Sequence, residues 1–143
     1  MIPKIINGDK SVDDRGIVSY INEFKLNDVK RFYQITNHKV GFVRAWHGHR
    51  NESKFLLCNS GSFRIGTVDL ETEEIYQFYL TSTKPQVLFI PSGYANGIQN
   101  LTYENLVTVF STSSIEDSLD DDIRFDWDRW NIWDMEKYRW YMC

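Results

Sequence analysis

Residues 44–49 read Arg-Ala-Trp-His-Gly-His, and this stretch decides how the chain is expected to fold. It overlaps an apolar run that predicts a strand over residues 40–47. Side chains alternate faces along a strand, so His47 and His49 look the same way, together with Val43 and Ala45. Two imidazoles beside small apolar residues indicate a pocket for proton transfer or metal binding. The alternative is a surface strand with two solvated histidines, but all three histidines lie between residues 38 and 49, which favours the pocket.

Most of the chain reads as short strands separated by turns rich in Gly, Pro, Asn and Asp. The predicted strands cover residues 17–23, 29–35, 40–47, 53–59, 62–69, 74–80, 86–90, 97–100 and 105–110. Short strands at this spacing predict an all-β protein, either an antiparallel sandwich or a barrel.

The C-terminal tail, residues 120–143, is both acidic and rich in tryptophan. It holds four of the five tryptophans: Trp127, Trp130, Trp133 and Trp140. The first three repeat every three residues, which predicts one or two helical turns. So many large apolar rings argue against disorder, and we expect them to pack over the barrel or against a second subunit. Stacking on a ligand is the alternative.

The composition is typical of a soluble globular protein, with 42% hydrophobic and 25% charged residues among 143. This length predicts one domain over residues 1–143. A formal net charge of -4 gives no overall attraction for nucleic acid, so a phosphate site needs a local cluster of Arg and Lys. The first four residues lack the apolar run of a signal peptide, and no segment approaches the length of a membrane span. Cys58 and Cys143 fit no metal-ligand spacing, and we expect reduced thiols in a cytoplasmic protein without a membrane partner.

Two separated segments carry a resemblance to a known superfamily. The first is Gly41, five residues, then His47-x-His49; the second is Pro-Ser-Gly-Tyr-Ala-Asn at residues 91–96, then three residues and Asn100. In this order they resemble the two sequence motifs of the cupins. The resemblance implies a double-stranded β-helix, that is, a small jelly-roll barrel with the motif side chains pointing inward.

The metal ligands of metal-binding cupins are incompletely matched. Glu52 follows the second histidine after only two intervening residues, which is too early for the acidic ligand, and Asn96 stands where the third histidine is expected. Two histidines alone make a poor site for a divalent cation, so we expect no metal. A metal-dependent cupin, such as a dioxygenase or isomerase, remains a rival hypothesis.

A narrower resemblance spans nearly the whole chain. The segments that resemble the dTDP-4-dehydrorhamnose 3,5-epimerases are residues 14–16, 29–33 and 41–47, Lys54, and residues 91–97 and 123–127. Residues 29–61, together with Ser-Gly-Ser-Phe-Arg at 60–64, resemble the dTDP-sugar 3,4-ketoisomerases, which are similarly short. Both resemblances imply an enzyme that acts on a nucleotide-linked 4-keto-6-deoxysugar.

The chemistry implied by these families is proton transfer beside a ketone. A base removes a C–H proton and an enolate forms; return of the proton to the other face inverts the centre, and return at another atom moves the ketone. The enzyme needs a base with a pKa near neutrality, a cation or donor for the enolate oxygen, and a proton donor, but no metal or organic cofactor.

The resemblance implies roles for the acid–base residues. His47 would be the base, with a nearby carboxylate to hold its tautomer, and Lys54 would stabilise the enolate oxygen. His49 would be a second acid–base group in a ketoisomerase. The alternative for Lys54 is a solvated strand lysine.

The substrate-binding residues implied are Arg15, Arg44, Asn96, Tyr33 and Gln34. Forked guanidinium groups suit a diphosphate, and Arg15 and Arg44 match arginines that contact the nucleotide. Arg15 is alternatively a turn residue paired with a neighbouring aspartate. Arg44 is three residues from His47, so a regular strand would place the two on opposite faces, and a bulge or a rim position is needed to bring them together.

Two proton carriers of the epimerases are replaced. Asn96 stands in for a histidine and cannot carry a proton at pH 7, and the proton-donating tyrosine aligns with Phe110. Tyr94, Tyr33 or His49 could substitute. We therefore expect a cofactor-independent epimerase or isomerase that works at one centre, with a 3,4-ketoisomerase or a non-catalytic sugar-nucleotide-binding cupin as alternatives. The family resemblance and the tryptophan-rich tail also lead us to expect a homodimer.

Overall fold

A computed structural model describes residues 1–135, which form twelve strands and one helix. The elements are β1 (Lys4–Asn7), β2 (Asp9–Asp13), β3 (Gly16–Tyr20), β4 (Arg31–Ile35), β5 (Val43–His49), β6 (Lys54–Ser60), β7 (Ser62–Asp69), β8 (Ile75–Thr81), β9 (Gln86–Ile90), β10 (Tyr94–Asn100), β11 (Leu106–Ser111), α1 (Ile115–Asp120) and β12 (Ile123–Arg124). Over the same residues, no helix is long and apolar enough to cross a membrane.

Two five-stranded antiparallel sheets face each other. The first has the strand order β1-β9-β6-β11-β4, and the second has the order β12-β5-β10-β7-β8; β2 and β3 form a separate hairpin. Neighbours in both sheets are mostly distant in sequence, as in a jelly roll rather than a meander. The predicted all-β, jelly-roll barrel is confirmed.

The space between the sheets is filled by alternate side chains of their strands. The main core contains Leu56, Ile65, Leu88, Ile98 and Val109, each at most 3% exposed. Inward and outward positions alternate as a sheet with one buried face requires. The bounds of β7 and β9 coincide with the predicted strands, because a Ser-Gly turn at residues 60–61 precedes β7 and the apolar run of β9 ends at Pro91.

A second apolar cluster covers the outer face of the second sheet. Trp46 is 1% exposed and packs against Trp133, with ring centroids 5.2 Å apart, and against Trp130 at 5.5 Å. Gly97 makes room for this layer, because a Cβ there would lie 2.5 Å from the Cβ of Ala45. The expectation that the tail packs over the barrel is therefore confirmed for Trp130 and Trp133.

The helical turns predicted around the tryptophan repeat are not formed. The carbonyl of Trp127 accepts the indole N–H groups of Trp46 (3.0 Å) and Trp133 (3.2 Å), in place of a helical bond from residue 131. The short helix lies earlier, as α1, where the Ser114 side chain accepts a bond from the backbone N–H of Asp117. Trp140 and Cys143 lie outside the described residues.

Candidate active site

A cleft of about 710 Å³ opens between the two sheets above the main core. Strands β4, β6 and β11 of the first sheet and β5 and β10 of the second provide its walls. Helix α1 and residues 122–127 cover one side of its mouth. The cleft brings together six of the eight residues proposed from the sequence: His47, His49, Lys54, Arg44, Asn96 and Tyr33.

A bulge in β5 sets which side chains face the cleft. Asn96 pairs with His47, but Ile98 pairs with Arg44, so β5 has one more residue than β10 across this interval. The extra residue reverses the alternation of faces. Arg44 therefore lines the cleft together with His47 despite their odd separation, and of the two possibilities raised by the sequence the structure has the bulge.

His47 is paired with a carboxylate from the far end of the chain. Its Nδ1 lies 3.3 Å from Oδ1 of Asp122, whose Oδ2 accepts a 2.8 Å bond from Nε of Arg124. Burial raises the pKa of Asp122, but the bonds from Arg124 and His47 outweigh it and hold the pKa below its usual value. A carboxylate at Nδ1 favours the tautomer with the proton on Nδ1, which leaves Nε2 as the nitrogen that accepts a proton.

His49 is enclosed rather than open. Its side chain is 6% exposed, against 43% for His47. Nε2 of His49 lies 3.2 Å from Glu52 and Nδ1 lies 3.8 Å from Asp121, so carboxylates face both ring nitrogens. Burial, followed by the charge of Lys54, lowers the pKa of His49 despite these carboxylates. The ring is therefore held in its neutral form at neutral pH.

Asp121 is fixed by the backbone that follows β5. Its carboxylate accepts N–H bonds from Arg50 (3.0 Å), Asn51 (2.8 Å) and Glu52 (3.1 Å). Burial raises the pKa of Asp121, but the three backbone donors lower it by more. This clamp ties the segment after α1 to the end of β5 and so fixes the neighbouring Asp122 beside His47.

Lys54 reaches the cleft from β6 with a side chain only 8% exposed, and so is not a solvated strand lysine. Tyr33 enters from β4, with the guanidinium of Arg31 5.0 Å above its ring. Arg44 donates to the side-chain oxygen of Asn37 at 2.6 Å. Arg31 and Arg44 thus provide two cations along the cleft, consistent with the local cluster that a phosphate site requires.

Two proposed substrate-binding residues lie away from this cleft. Arg15 is at the tip of the β2–β3 hairpin, 86% exposed and paired with Asp13 at 2.6 Å, as its alternative interpretation described. Gln34 points to the outer face of β4, where its amide donates to Thr108 at 3.1 Å. Gln34 follows Tyr33 directly, and adjacent side chains of a strand point to opposite faces. Because Tyr33 points into the cleft, Gln34 cannot.

The position of Phe110 bears on which residue donates the proton. Phe110 lies on the outer face of the first sheet, 5.3 Å from Phe24 between ring centroids, and is not opposite His47. Its inward-facing neighbour on β11 is Val109. Tyr94 is 6% exposed and packs against Tyr76 outside the cleft. Of the three substitutes considered, Tyr33 and His49 line the cleft.

Sequence reasoning missed Asp121, Asp122 and Arg31, and it considered Glu52 only as a metal ligand. The two aspartates belong to a run of three, residues 120–122, which looks like a solvated acidic tail. The adjoining residues 123–127 carried part of the family resemblance and were the available signal. Within residues 1–135, no group of three or more His, Cys, Asp and Glu side chains is arranged to hold a metal ion.

A jelly-roll barrel with an inward-facing histidine pair at its open end defines a cupin-type protein. The family model described as "FdtA: WxcM-like, C-terminal" matches residues 1–129. The chain therefore belongs to this family.

Solved structures with similar folds include two epimerases and a ketoisomerase. The dTDP-4-dehydrorhamnose 3,5-epimerase of Bacillus anthracis is 18% identical, with a TM-score of 0.79 over 92% of this chain and 85% of that one. The corresponding epimerase of Sulfolobus tokodaii is 22% identical, with a TM-score of 0.75 over 91% and 81%. A 3,4-ketoisomerase from Helicobacter canadensis is 24% identical, with a TM-score of 0.71 over 100% and 99%. A search of curated proteins found no match. At these low sequence identities, the structural similarity establishes the fold alone.

Proposed function

We propose that this protein is a cofactor-independent epimerase or isomerase of a nucleotide-linked, dTDP-type 4-keto-6-deoxysugar. The observation that carries the proposal is the His47–Asp122 pair, 3.3 Å apart, in the same cleft as Lys54. A carboxylate-held imidazole is a general base, and a nearby ammonium stabilises the oxyanion that forms when the base acts.

The reaction consists of proton transfers. Nε2 of His47 takes a proton from the carbon beside the ketone, the C–H electrons form a carbon–carbon double bond, and the carbonyl electrons move to oxygen. Lys54 stabilises that enolate oxygen by its charge. Return of a proton from the opposite side, with the Tyr33 hydroxyl as donor, re-forms the ketone with the centre inverted. Each step conserves electrons, so no redox cofactor is needed.

The substrate class is inferred from the cations of the cleft and from the structural relatives. Arg31 and Arg44 suit the diphosphate of a sugar nucleotide. The B. anthracis epimerase was solved with TDP and pyrophosphate bound, and a 3,4-ketoisomerase of Thermoanaerobacterium thermosaccharolyticum with TDP-4-keto-6-deoxyglucose.

A 3,4-ketoisomerase is the second candidate, and His49 favours it. Moving a ketone requires proton exchange at two neighbouring carbons and at their oxygens. His49 lines the same cleft two residues from His47, with Asp121 beside its Nδ1. A second histidine–carboxylate pair is more than a single inversion requires.

Deuterium exchange tests the proposal. The protein is incubated in D2O with dTDP-4-keto-6-deoxyglucose, and proton NMR follows each carbon beside the ketone. We expect deuterium at C3 or C5, and product analysis then separates an epimer from a ketoisomer. His47→Asn should abolish exchange while the fold is retained. Binding of the sugar nucleotide without exchange would instead support the non-catalytic cupin.

We also propose that the protein is a homodimer, as the sequence led us to expect. Phenylalanine rings of four adjacent strands form a row on the outer face of the first sheet: Phe32, Phe110, Phe55 and Phe89. Phe32 is 66% exposed, and such a face favours association. Sedimentation equilibrium should give twice the chain mass, and a monomer at micromolar concentration would contradict the proposal.

A further inference from the structure

Glu52 is a charged side chain completely buried behind the floor of the cleft. Its side chain is 0% exposed, and it is not among the residues that line the cleft. It therefore does not touch a substrate held there. A buried carboxylate is costly unless hydrogen bonds and opposite charges compensate it, so its partners indicate its role.

The two oxygens of Glu52 have different partners. Oε1 accepts a 2.6 Å bond from the hydroxyl of Ser111 and lies 3.4 Å from Nη2 of Arg31. Oε2 lies between two residues of the cleft floor, 3.2 Å from Nε2 of His49 and 3.6 Å from Nζ of Lys54. One oxygen is thus anchored to the barrel wall, and the other faces the acid–base groups.

The charges around this carboxylate come from every element packed against it. They are His49 on β5, Lys54 on β6, Arg31 on β4, and Asp121, which accepts the backbone N–H of Glu52. Burial raises the pKa of Glu52, but the Ser111 bond and the charge of Lys54 oppose it, and the pKa lies below its usual value. The group is ionised at neutral pH and serves as the counter-ion of Lys54.

We propose that Glu52 is a positioning residue, which holds the Lys54 ammonium and the His49 ring at the floor of the cleft through one buried carboxylate. The role of Lys54 in this inference rests on the proposed function; the coupling of Glu52 to His49 does not. Without the negative charge, the floor would hold two cations, Lys54 and Arg31, beside a histidine that is already difficult to protonate. Lys54 would lose the counter-ion that lies 3.6 Å from its ammonium.

Histidine NMR tests the coupling without reference to activity. Glu52→Gln keeps the size of the side chain and an acceptor for Ser111 but removes the charge. The chain has only three histidines, so the ring nitrogen signals of His49 can be followed through a pH titration. The negative charges of Glu52, Asp121 and Asp122 raise the pKa of His49, while Lys54 and burial lower it. In Glu52→Gln we expect the His49 midpoint to fall by about one pH unit or more. An unchanged midpoint would overturn the inference.

Kinetics test the positioning of Lys54. In the exchange assay we expect Glu52→Gln to lower kcat about tenfold to a hundredfold, with KM changed less than about threefold, because the enolate charge exists only after binding. A rise in KM with an unchanged kcat would overturn the positioning role. If the unsubstituted protein shows no exchange, the proposed function fails, and the histidine titration still decides the coupling.

Two matched variants separate charge from packing. Ser111→Ala removes a hydrogen bond from the same carboxylate but leaves its charge, so the His49 midpoint should fall less than in Glu52→Gln; an equal fall would refute the charge argument. Glu52→Asp keeps the charge but withdraws it by one methylene, and we expect an intermediate midpoint. These two variants carry the test if Glu52→Gln does not fold, and a wild-type midpoint in a folded Glu52→Asp protein would then overturn the inference.

Discussion

Replacing Asp122 by Asn tests the pair on which the proposed function depends. The substitution keeps the shape of the side chain and a bond to Arg124, but it removes the charge opposite His47. At 3.3 Å, an imidazolium and a carboxylate attract by about 1.3 kcal/mol in a water-like dielectric and by about 5 kcal/mol at an effective dielectric of 20. His47 is 43% exposed, and Arg124 already engages the carboxylate, so solvent and the second cation screen the pair. We therefore expect a loss of about 2–3 kcal/mol of transition-state stabilisation, or about thirty- to 150-fold in kcat.

The assay is the rate of deuterium incorporation at saturating substrate, measured together with thermal unfolding. Asp120→Asn is the matched control, because it makes the same chemical change at an exposed position in the same acidic run, and its rate should stay within about twofold of the original. An Asp122→Asn protein that folds normally and exchanges within threefold of the unsubstituted rate would refute the role of the carboxylate. A higher KM with an unchanged kcat would also refute this role, because the imidazolium forms only during turnover.

Three further predictions concern the fold and the acid–base groups. Trp133→Ala should destabilise the protein by about 3–5 kcal/mol in urea unfolding, because it removes a buried ring packed on Trp46. Thermal stability should fall as the pH drops below about 6.5, because the folded-state pKa values of His49 and Asp121 are both lowered. The folded state then binds fewer protons than the unfolded state, so the stability from His49 is complete above about pH 6.5 and that from Asp121 above about pH 4, and each is lost below. Differential scanning calorimetry at pH 8, 6 and 4 measures this loss of stability, and an unfolding temperature that does not change with pH would contradict the prediction. Tyr33→Phe should leave wash-out of the substrate proton detectable but slow product formation at least about tenfold by NMR; an unaffected product rate would exclude Tyr33 as donor.

The sequence predicted the strands best where apolar patterning is strong at both ends of the element. On β8, outward Ile75, Gln77 and Tyr79 alternate with more buried neighbours, and this alternation is present in the sequence itself. Strand β2 was missed because Asp9–Asp13 is exposed throughout and is ordered by pairing with β3 rather than by burial. A strand without a buried face has no period-2 apolar signal for sequence analysis to detect.

The site was predictable only in part, for a similar reason. His47 lies on a strand predicted from the sequence, so the face that it shares with His49 follows from the alternation of side chains. Lys54 and Asn96 were proposed only from the family resemblance. The direction of Arg44 depends on a one-residue bulge, which apolar periodicity does not show. Asp122 comes from a segment 75 residues away in the chain, and only the closed barrel brings it to His47.

The two histidines that share one face of β5 are made chemically different by two adjacent aspartates. Asp122 faces one nitrogen of an imidazole that is open to the cleft, whereas Asp121 faces a ring that also has Glu52 at its other nitrogen. A base needs one nitrogen supported and the other free to receive a proton, and His47 meets this condition. Both nitrogens of His49 face carboxylates, but the buried Nδ1 makes no hydrogen bond and lies 3.8 Å from Asp121, whereas Nε2 lies 3.2 Å from Glu52. We therefore expect its contribution to pass through the carboxylate it shares with Lys54. A ketoisomerase in which His49 itself touches the sugar would require the ring to break its contact with Glu52 first. Two experiments therefore ask whether His49 acts through Glu52 or on the sugar itself. The Glu52→Gln titration examines the free protein, and the position of deuterium in the product examines turnover.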